Sequence, residues 1–143
     1  SIVEAYKKEA VIYGECGGMM YLLEKLIDCD GRSFKMSSVH NGTSKMEKRR
    51  QGLGYVIVDV ICDTVISRKG DTFRAHEFHW SGLQDIPEST FFAYNTMKSN
   101  GKRTGVDGIC KGNILASYTH IHFSSNPALA KNMLSSMAER VQI

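Results

Sequence analysis

The chain has 143 residues, of which 42% are hydrophobic and 23% charged, and its formal net charge is +3. This composition predicts a single globular domain, because domains cluster around ~100–150 residues with a similar apolar fraction. No stretch approaches the ~20 apolar residues of a membrane-spanning helix, so we expect no membrane partner. The small net charge does not favour nucleic acid as a partner, and the lack of a charged leader favours a cytoplasmic location.

The four cysteines are scattered, with no C-x-x-C pair among them. They are Cys16, Cys29, Cys62 and Cys110. Disulfide frameworks are typical of short secreted chains, and structural zinc sites use closely paired cysteines. We therefore expect free thiols and no metal site of the paired-cysteine type.

The first third of the chain is predicted to be a strand, a tight glycine turn and a helix. Residues 10–13 are a short apolar run with β-branched side chains, which favours a buried strand. Residues 14–18 are rich in glycine. Apolar side chains between residues 19 and 27 then recur three, four and seven apart, which predicts an amphipathic helix that ends before Gly31.

The remaining elements are predicted to be mostly strands. Residues 55–62 form a dense β-branched run, and residues 72–80, 91–94 and 114–123 are further strands between turn signals. A final helix over residues 128–141 is expected, with Pro127 at its first position and Asn126 as its N-cap. A strand–turn–helix start favours parallel pairing, whereas consecutive strands favour antiparallel pairing, so we expect a mixed sheet.

Six basic side chains lie between Gly31 and Gly52, opposed only by Glu47. They are Arg32, Lys35, Lys45, Lys48, Arg49 and Arg50. Charge blocks of this kind are usually solvated loops. The alternative is a patch that faces an anionic partner, either a polycarboxylate or a phosphate backbone.

The segment Gly14-Glu15-Cys16-Gly17-Gly18 matches a nucleophile elbow with cysteine in place of serine. In such an elbow a sharp strand-to-helix turn exposes the nucleophile, and small residues must flank it. A helix N-terminus is expected to lower the thiol pKa of Cys16. The N–H of Gly17 would point at an oxyanion on an attacked carbonyl. The alternative is a buried cysteine in an ordinary glycine-rich turn.

A cysteine nucleophile needs a base, and the best placed histidines are His120 and His122. They are two residues apart near the end of a predicted strand, so they share one face, and strand ends are where open α/β sheets bind ligands. His76 and His79 are three apart and face opposite sides of their strand, and they do not form the H-E-x-x-H motif of a metalloprotease.

Four segments in order resemble the cobyrinic acid a,c-diamide synthases, ATP-dependent amidotransferases with a class I glutaminase domain. The first is the elbow with its continuation to Leu22, and the second runs from Ser44 to Tyr55. The third is Arg74-Ala75-His76-Glu77-Phe78-His79-Trp80-Ser81, and the fourth covers residues 112–127. The resemblance spans nearly the whole chain.

The resemblance implies glutamine hydrolysis, with Cys16 as the nucleophile, His120 as the general base and Gly17 as one oxyanion donor. Many class I glutaminases carry a glutamate two residues after the base, where this chain has His122. His122 and Glu77 are therefore possible orienting residues, although pairing with Arg74 is the expected role of Glu77. No metal ligand is implied.

The fold implied is a three-layer, flavodoxin-like α/β domain: a mixed sheet with helices on both faces, incomplete at its N-terminal side. The whole of residues 1–143 would be one partial glutaminase domain. The implied partners are glutamine, an attached synthetase domain and a tetrapyrrole substrate bound by that domain. The chain has no G-x-x-x-x-G-K-[ST] loop, so no cofactor is expected here, and ATP with magnesium would act on the synthetase part. An edge left without its opening strands favours a homodimer.

Three alternatives remain open. The first is a non-catalytic or metal-binding module that uses Cys16, His120 and His122 as ligands. The second is the same domain from a nickel-sirohydrochlorin a,c-diamide synthase, which differs in its acceptor. The third is a cysteine hydrolase of another substrate, because a fold does not dictate a reaction.

Overall fold

The computed structural model describes residues 1–141. The α-helices are α1 (Ile2–Lys7), α2 (Gly17–Leu22) and α3 (Pro127–Val141). The strands are β1 (Ile12–Glu15), β2 (Lys25–Ile27), β3 (Ser33–Lys35), β4 (Thr43–Met46), β5 (Gly52–Val60), β6 (Thr72–His79), β7 (Ser81–Gln84), β8 (Phe92–Met97), β9 (Arg103–Lys111), β10 (Ile114–Ser117) and β11 (Thr119–His120). A 3-10 helix covers Phe123–Ser125.

The main sheet has seven strands in the order β1-β10-β9-β8-β5-β6-β11. Strand β1 runs parallel to β10, whereas the other neighbours in this sheet pair antiparallel. The sheet is therefore mixed, as predicted. Strand β1 lies at one edge of it, paired on one side with β10.

Helices cover both faces of this sheet. On one face an apolar cluster that includes Val58 and Leu115 packs against Leu129 of α3. On the other face Ile12 and Ile114 pack against α2 and α1. Alternate residues of β10 thus enter opposite cores, as the two-residue period of a strand requires. These layers confirm the expected three-layer α/β fold.

The predicted strand over residues 114–123 is interrupted. Strand β10 ends at Ser117, and β11 has two residues and pairs with β6 instead of β9. The buried carboxylate of Asp107 accepts the backbone N–H groups of Tyr118 at 3.0 Å and Thr119 at 2.8 Å. These bonds satisfy the backbone where the chain changes strand partners. Strands β10 and β11 follow each other in the chain but are second and last in the strand order, so the sheet curls.

The predicted helix over residues 19–27 is too long. Helix α2 ends at Leu22, and Leu23 is already extended, with φ −72° and ψ 176°. Leu26 and Ile27 instead belong to β2 in a second sheet of order β3-β2-β4-β7. Pairing with β3 and β4 satisfies the backbone of this segment, and this tertiary effect overrides the helical spacing of its apolar side chains.

The segment between Gly31 and Gly52 contains strands β3 and β4, which the interpretation as a loop had missed. Arg32 pairs with Asp28 and Asp30, two acidic residues that precede the segment. Strand β9 was also missed, because its polar and glycine-rich sequence lacks an apolar alternation.

All four cysteines are free thiols, as expected. Within residues 1–141, no helix is both long enough and apolar enough to span a bilayer.

Candidate active site

The elbow is built from the end of β1 and the start of α2. Cys16 has φ 48° and ψ −103°, a conformation that non-glycine residues rarely adopt. Its backbone N–H donates to Ser117 O at 2.8 Å, and its carbonyl accepts the N–H of Met20 at 3.0 Å. The strained residue is thus held from the β10 side and from the first turn of the helix, as at other functional turns.

The flanking glycines are not equivalent. A Cβ on Gly14 would lie 2.9 Å from Cδ1 of Leu22 and 3.0 Å from the carbonyl carbon of Gly18. A Cβ on Gly17 or Gly18 would meet no heavy atom within 4 Å beyond its chain neighbours and the backbone of its own helix. The close approach of β1 to α2 therefore requires glycine at position 14, whereas the space in front of α2 at positions 17 and 18 is open.

The pKa of the Cys16 thiol is raised, whereas the sequence analysis predicted that it would be lowered. Its pKa is raised, chiefly because burial disfavours the thiolate, and the neighbouring Glu15 carboxylate raises it further. The N–H of Gly17 lowers this pKa, as expected at a helix start, but burial outweighs it. Among the described residues, the hydrogen-bond partner of Sγ is the Phe78 carbonyl at 3.9 Å.

His120 lies on β11, directly opposite His76 of β6, and the two rings are 6.5 Å apart between centroids. Its Nε2 is buried and has no hydrogen-bond partner among the described residues. His120 also lines a cavity of about 420 Å³ together with His76, His122 and Tyr55. His120 thus combines a buried ring nitrogen that lacks a partner among the described residues with a position beside a cavity.

The two possible orienting residues have different positions. His122 lines the same cavity as His120, although it is exposed and follows β11 rather than lying on a strand. Glu77 pairs with Thr119, the residue before His120, so it lies on the other face of the strand from His76 and His120. Glu77 lines a separate cavity with Asp107. The structure brings its carboxylate neither to His120 nor to Arg74. The guanidinium of Arg74 instead lies 5.3 Å from the centroid of the Tyr55 ring.

Glu15 is a site residue that the sequence argument passed over. Its Oε1 accepts the backbone N–H of Ile121 at 2.8 Å and the hydroxyl of Tyr13. Ile121 directly follows His120, so this carboxylate fastens the elbow to the histidine segment. The sequence feature that could have pointed to Glu15 is the position of this carboxylate inside the elbow motif. The motif itself assigns the residue no catalytic role.

Tyr118 is a second residue that was missed. Its ring stacks on His79 at 4.0 Å between centroids, and its hydroxyl bonds Ser81 at 2.8 Å and Ser44 at 3.2 Å. Ser81 also contacts Sδ of Met20, in α2, at 3.1 Å. This network joins the elbow helix to the second sheet at the break between β10 and β11.

Cys16 and His120 lie beyond the carboxyl ends of neighbouring parallel strands. Glu15 is in register with Ser117, so Cys16 is one residue past the pairing and His120 three residues past it. Sγ of Cys16 reaches the carbonyl of Phe78, two residues from His76 on the strand that pairs with β11. Over residues 1–141, no three His, Cys, Asp or Glu side chains are arranged to hold a metal ion.

Residues 1–128 match the family model described as the CobB/CobQ-like glutamine amidotransferase domain. The chain belongs to this family. The elbow at Cys16 and the histidine segment at His120 both fall within the matched residues. This assignment fits a class I glutaminase fold built around a cysteine elbow.

Curated relatives are similar along most of this amidotransferase domain. A cobyrinate a,c-diamide synthase from Listeria innocua is 42% identical over 139 residues, which cover 93% of this chain and 29% of the relative. One from Methanocaldococcus jannaschii is 40% identical over 135 residues, with 94% and 29% covered. The domain thus spans less than a third of the length of these relatives.

Solved structures show the same fold at low sequence identity. A crystal structure of a glutamine amidotransferase superposes with a TM-score of 0.66 at 13% identity, covering 96% of this chain and 66% of that one. PurLQS from Thermotoga maritima gives a TM-score of 0.62 at 16% identity, covering 98% and 66%. The likeness is one of architecture.

Proposed function

We propose that this domain hydrolyses glutamine with Cys16 as the nucleophile and His120 as the general base. The observation that carries the proposal is the strained Cys16 elbow beside the histidine segment at the carboxyl ends of β1 and β10. Two further observations support it: Nε2 of His120 is buried with no partner within the described part of the chain, and His120 lines a cavity. Because the pKa of Cys16 is raised, the resting thiol needs a base when substrate arrives.

The reaction proceeds through a thioester. His120 takes the proton of Cys16 as Sγ attacks the side-chain amide carbon of glutamine, and the N–H of Gly17 stabilises the oxyanion. The imidazolium then protonates the departing nitrogen, the C–N bond breaks and ammonia leaves. Water, deprotonated by His120, attacks the thioester carbon, and Cys16 regains its proton as glutamate is released.

We further propose that the ammonia serves a synthetase region in a longer protein, which amidates carboxylates of a tetrapyrrole such as cobyrinic acid. The names of the relatives support this acceptor. ATP with magnesium would activate the carboxylate in that region. The exposed basic residues around Arg49 offer positive charge that suits a polycarboxylate. Strand β1 lies at an edge of the main sheet and offers a pairing surface for a second copy of the chain.

A glutamine-shaped electrophile tests the nucleophile. We expect 6-diazo-5-oxonorleucine to label Cys16 alone, as read by peptide mass spectrometry, and excess glutamine to protect it. Cys29→Ser is the matched control and should label like the parent, whereas His120→Asn should label slowly. Equal labelling of Cys16 and exposed Cys29 would contradict a glutamine site.

The acceptor is tested in a chain that carries the synthetase region. Cys16→Ser should abolish glutamine-dependent amidation of cobyrinic acid and leave ammonium-dependent amidation intact. If nickel sirohydrochlorin were amidated and cobyrinic acid were not, the proposed glutaminase chemistry would stand and the proposed acceptor would be wrong. Loss of both nitrogen sources would show that Cys16 supports the fold rather than the hydrolysis.

A further inference from the structure

Cys62 and Cys110 meet at the end of the main sheet that is remote from Cys16. Cys62 lies two residues past the end of β5, and Cys110 is the next-to-last residue of β9. Sγ of Cys110 is 3.8 Å from the carbonyl oxygen of Asp63, the residue after Cys62, and each of the two thiols shifts the pKa of the other. Both side chains pack against the apolar cluster under α3.

Backbone hydrogen bonds hold the two cysteines in this position. Ile61 donates its N–H to Ala93 at 2.8 Å, and Cys110 donates its N–H to Phe91 at 3.0 Å. The segment that begins β8 is therefore clasped on one side by the chain next to Cys62 and on the other by Cys110 itself. The positions of the two cysteines therefore follow from the pairing of β5, β8 and β9 rather than from two mobile loops.

The pair is open to small reagents. Cys62 and Cys110 are each partly exposed, and Cys110 lines a cavity of about 250 Å³ together with His40 and Lys111. The ammonium group of Lys111 suits a reagent that carries carboxylates. The cavity does not include Cys16 or His120, so this pair is separate from the proposed glutaminase site.

We propose that Cys62 and Cys110 form a redox-active dithiol that small-molecule disulfides such as glutathione disulfide oxidise to an intramolecular disulfide. The Cys62 thiolate attacks one sulfur of glutathione disulfide, and one glutathione thiolate leaves. Cys110 then gives its proton to solvent and attacks Sγ of Cys62, which displaces the second glutathione. Two protein S–H bonds are lost, one S–S bond forms and glutathione disulfide is reduced to two glutathione molecules.

The environment sets the order of the two steps. Burial raises the pKa of both thiols, and the interaction between them lowers the pKa of Cys62 and raises that of Cys110 further. The pKa of Cys110 reaches about 11. Cys62 is therefore the attacking thiol and Cys110 the resolving one, because the thiolate is the nucleophile.

The test is a redox titration of the 143-residue chain in glutathione buffers of increasing oxidised-to-reduced ratio, followed by alkylation and peptide mass spectrometry. We expect Cys62 and Cys110 to lose alkylation together, with a cross-linked peptide pair lighter by two hydrogens. Exposed Cys29, which has no thiol partner among the described residues, should give at most a glutathione adduct. Separate glutathione adducts on Cys62 and Cys110 would overturn the proposal.

Serine variants separate the two roles. Cys110→Ser should accumulate a glutathione adduct on Cys62, whereas Cys62→Ser should leave Cys110 reduced at ratios that oxidise the parent chain. Cys29→Ser is the control and should titrate like the parent. Identical behaviour of the Cys62→Ser and Cys110→Ser chains would remove the assigned order, and persistence of both thiols at the highest ratio would refute the dithiol.

Discussion

The carboxylate of Glu15 accepts the backbone N–H of Ile121 at 2.8 Å across 106 positions of the sequence. Glu15 precedes the elbow cysteine and Ile121 follows the proposed base, so this hydrogen bond joins the two proposed catalytic segments directly. The N–H of Ile121 would be left unpaired without it, and Ile121 is buried. We therefore regard Glu15 as a positioning residue of the site.

Replacing Glu15 with alanine should lower the free energy of unfolding by about 1–3 kcal/mol, the usual penalty of an unpaired buried donor. Glu15→Gln keeps an acceptor oxygen and should lose less. Urea unfolding monitored by circular dichroism measures both, and Glu24→Ala on the exposed surface is the control. Equal stability of the Glu15→Ala and Glu24→Ala chains would show that the bond contributes nothing.

Gly14→Ala should destabilise the elbow, because the added methyl would lie 2.9 Å from Leu22 and 3.0 Å from Gly18. Overpacking of this kind typically lowers the free energy of unfolding by about 1–3 kcal/mol. Gly18→Ala is the matched control in the same segment, with open space at its Cβ and a better helix former in α2. A thermal melt in which both chains unfold at the same temperature would contradict this steric account.

Stability should fall as pH rises from the ordinary carboxyl range towards neutrality. Burial raises the pKa of Asp107, and burial and the Asp107 charge raise that of Glu77, so the folded chain binds more protons than the unfolded one in this window. Below the unfolded pKa values of about 4, both states are protonated, so the free energy of unfolding no longer changes with pH. Urea unfolding at several pH values measures the slope.

Asp107→Asn should flatten that slope, since it removes one raised pKa and relieves the other. Its stability at a single pH will also change, because only one amide oxygen remains for the N–H groups of Tyr118 and Thr119. The slope, not the absolute stability, is therefore the decisive quantity. An unchanged slope in the Asp107→Asn chain would assign the pH dependence to other groups.

Cys16 should react slowly with iodoacetamide at neutral pH in the absence of substrate. Its raised pKa leaves little thiolate, so the rate should climb only as the pH rises past the ordinary cysteine value of ~8.5. Exposed Cys29 should be alkylated first. The reverse order, measured by peptide mass spectrometry at neutral pH, would show a thiolate already activated in the resting domain.

Local patterns predicted the elements whose character follows from neighbouring residues. The β-branched run at residues 55–62, the proline at the first position of α3 and the glycine elbow all appear at nearly the expected positions. The helix predicted to reach residue 27 ends at Leu22, because pairing within the second sheet satisfied the backbone of β2. Strand β9 depends on neighbours on both sides and has no local signature.

The sequence by itself determined the type of chemistry: a cysteine between small residues at a strand-to-helix turn and a histidine segment near the other end of the chain. Only the tertiary structure decided which side chains serve these two groups. It placed Glu15 on the histidine segment, separated Glu77 from His120 and raised the thiol pKa of Cys16 through burial. Hydrogen bonds between distant segments and the loss of water around a thiol depend on the packed fold, and no short stretch of sequence encodes them.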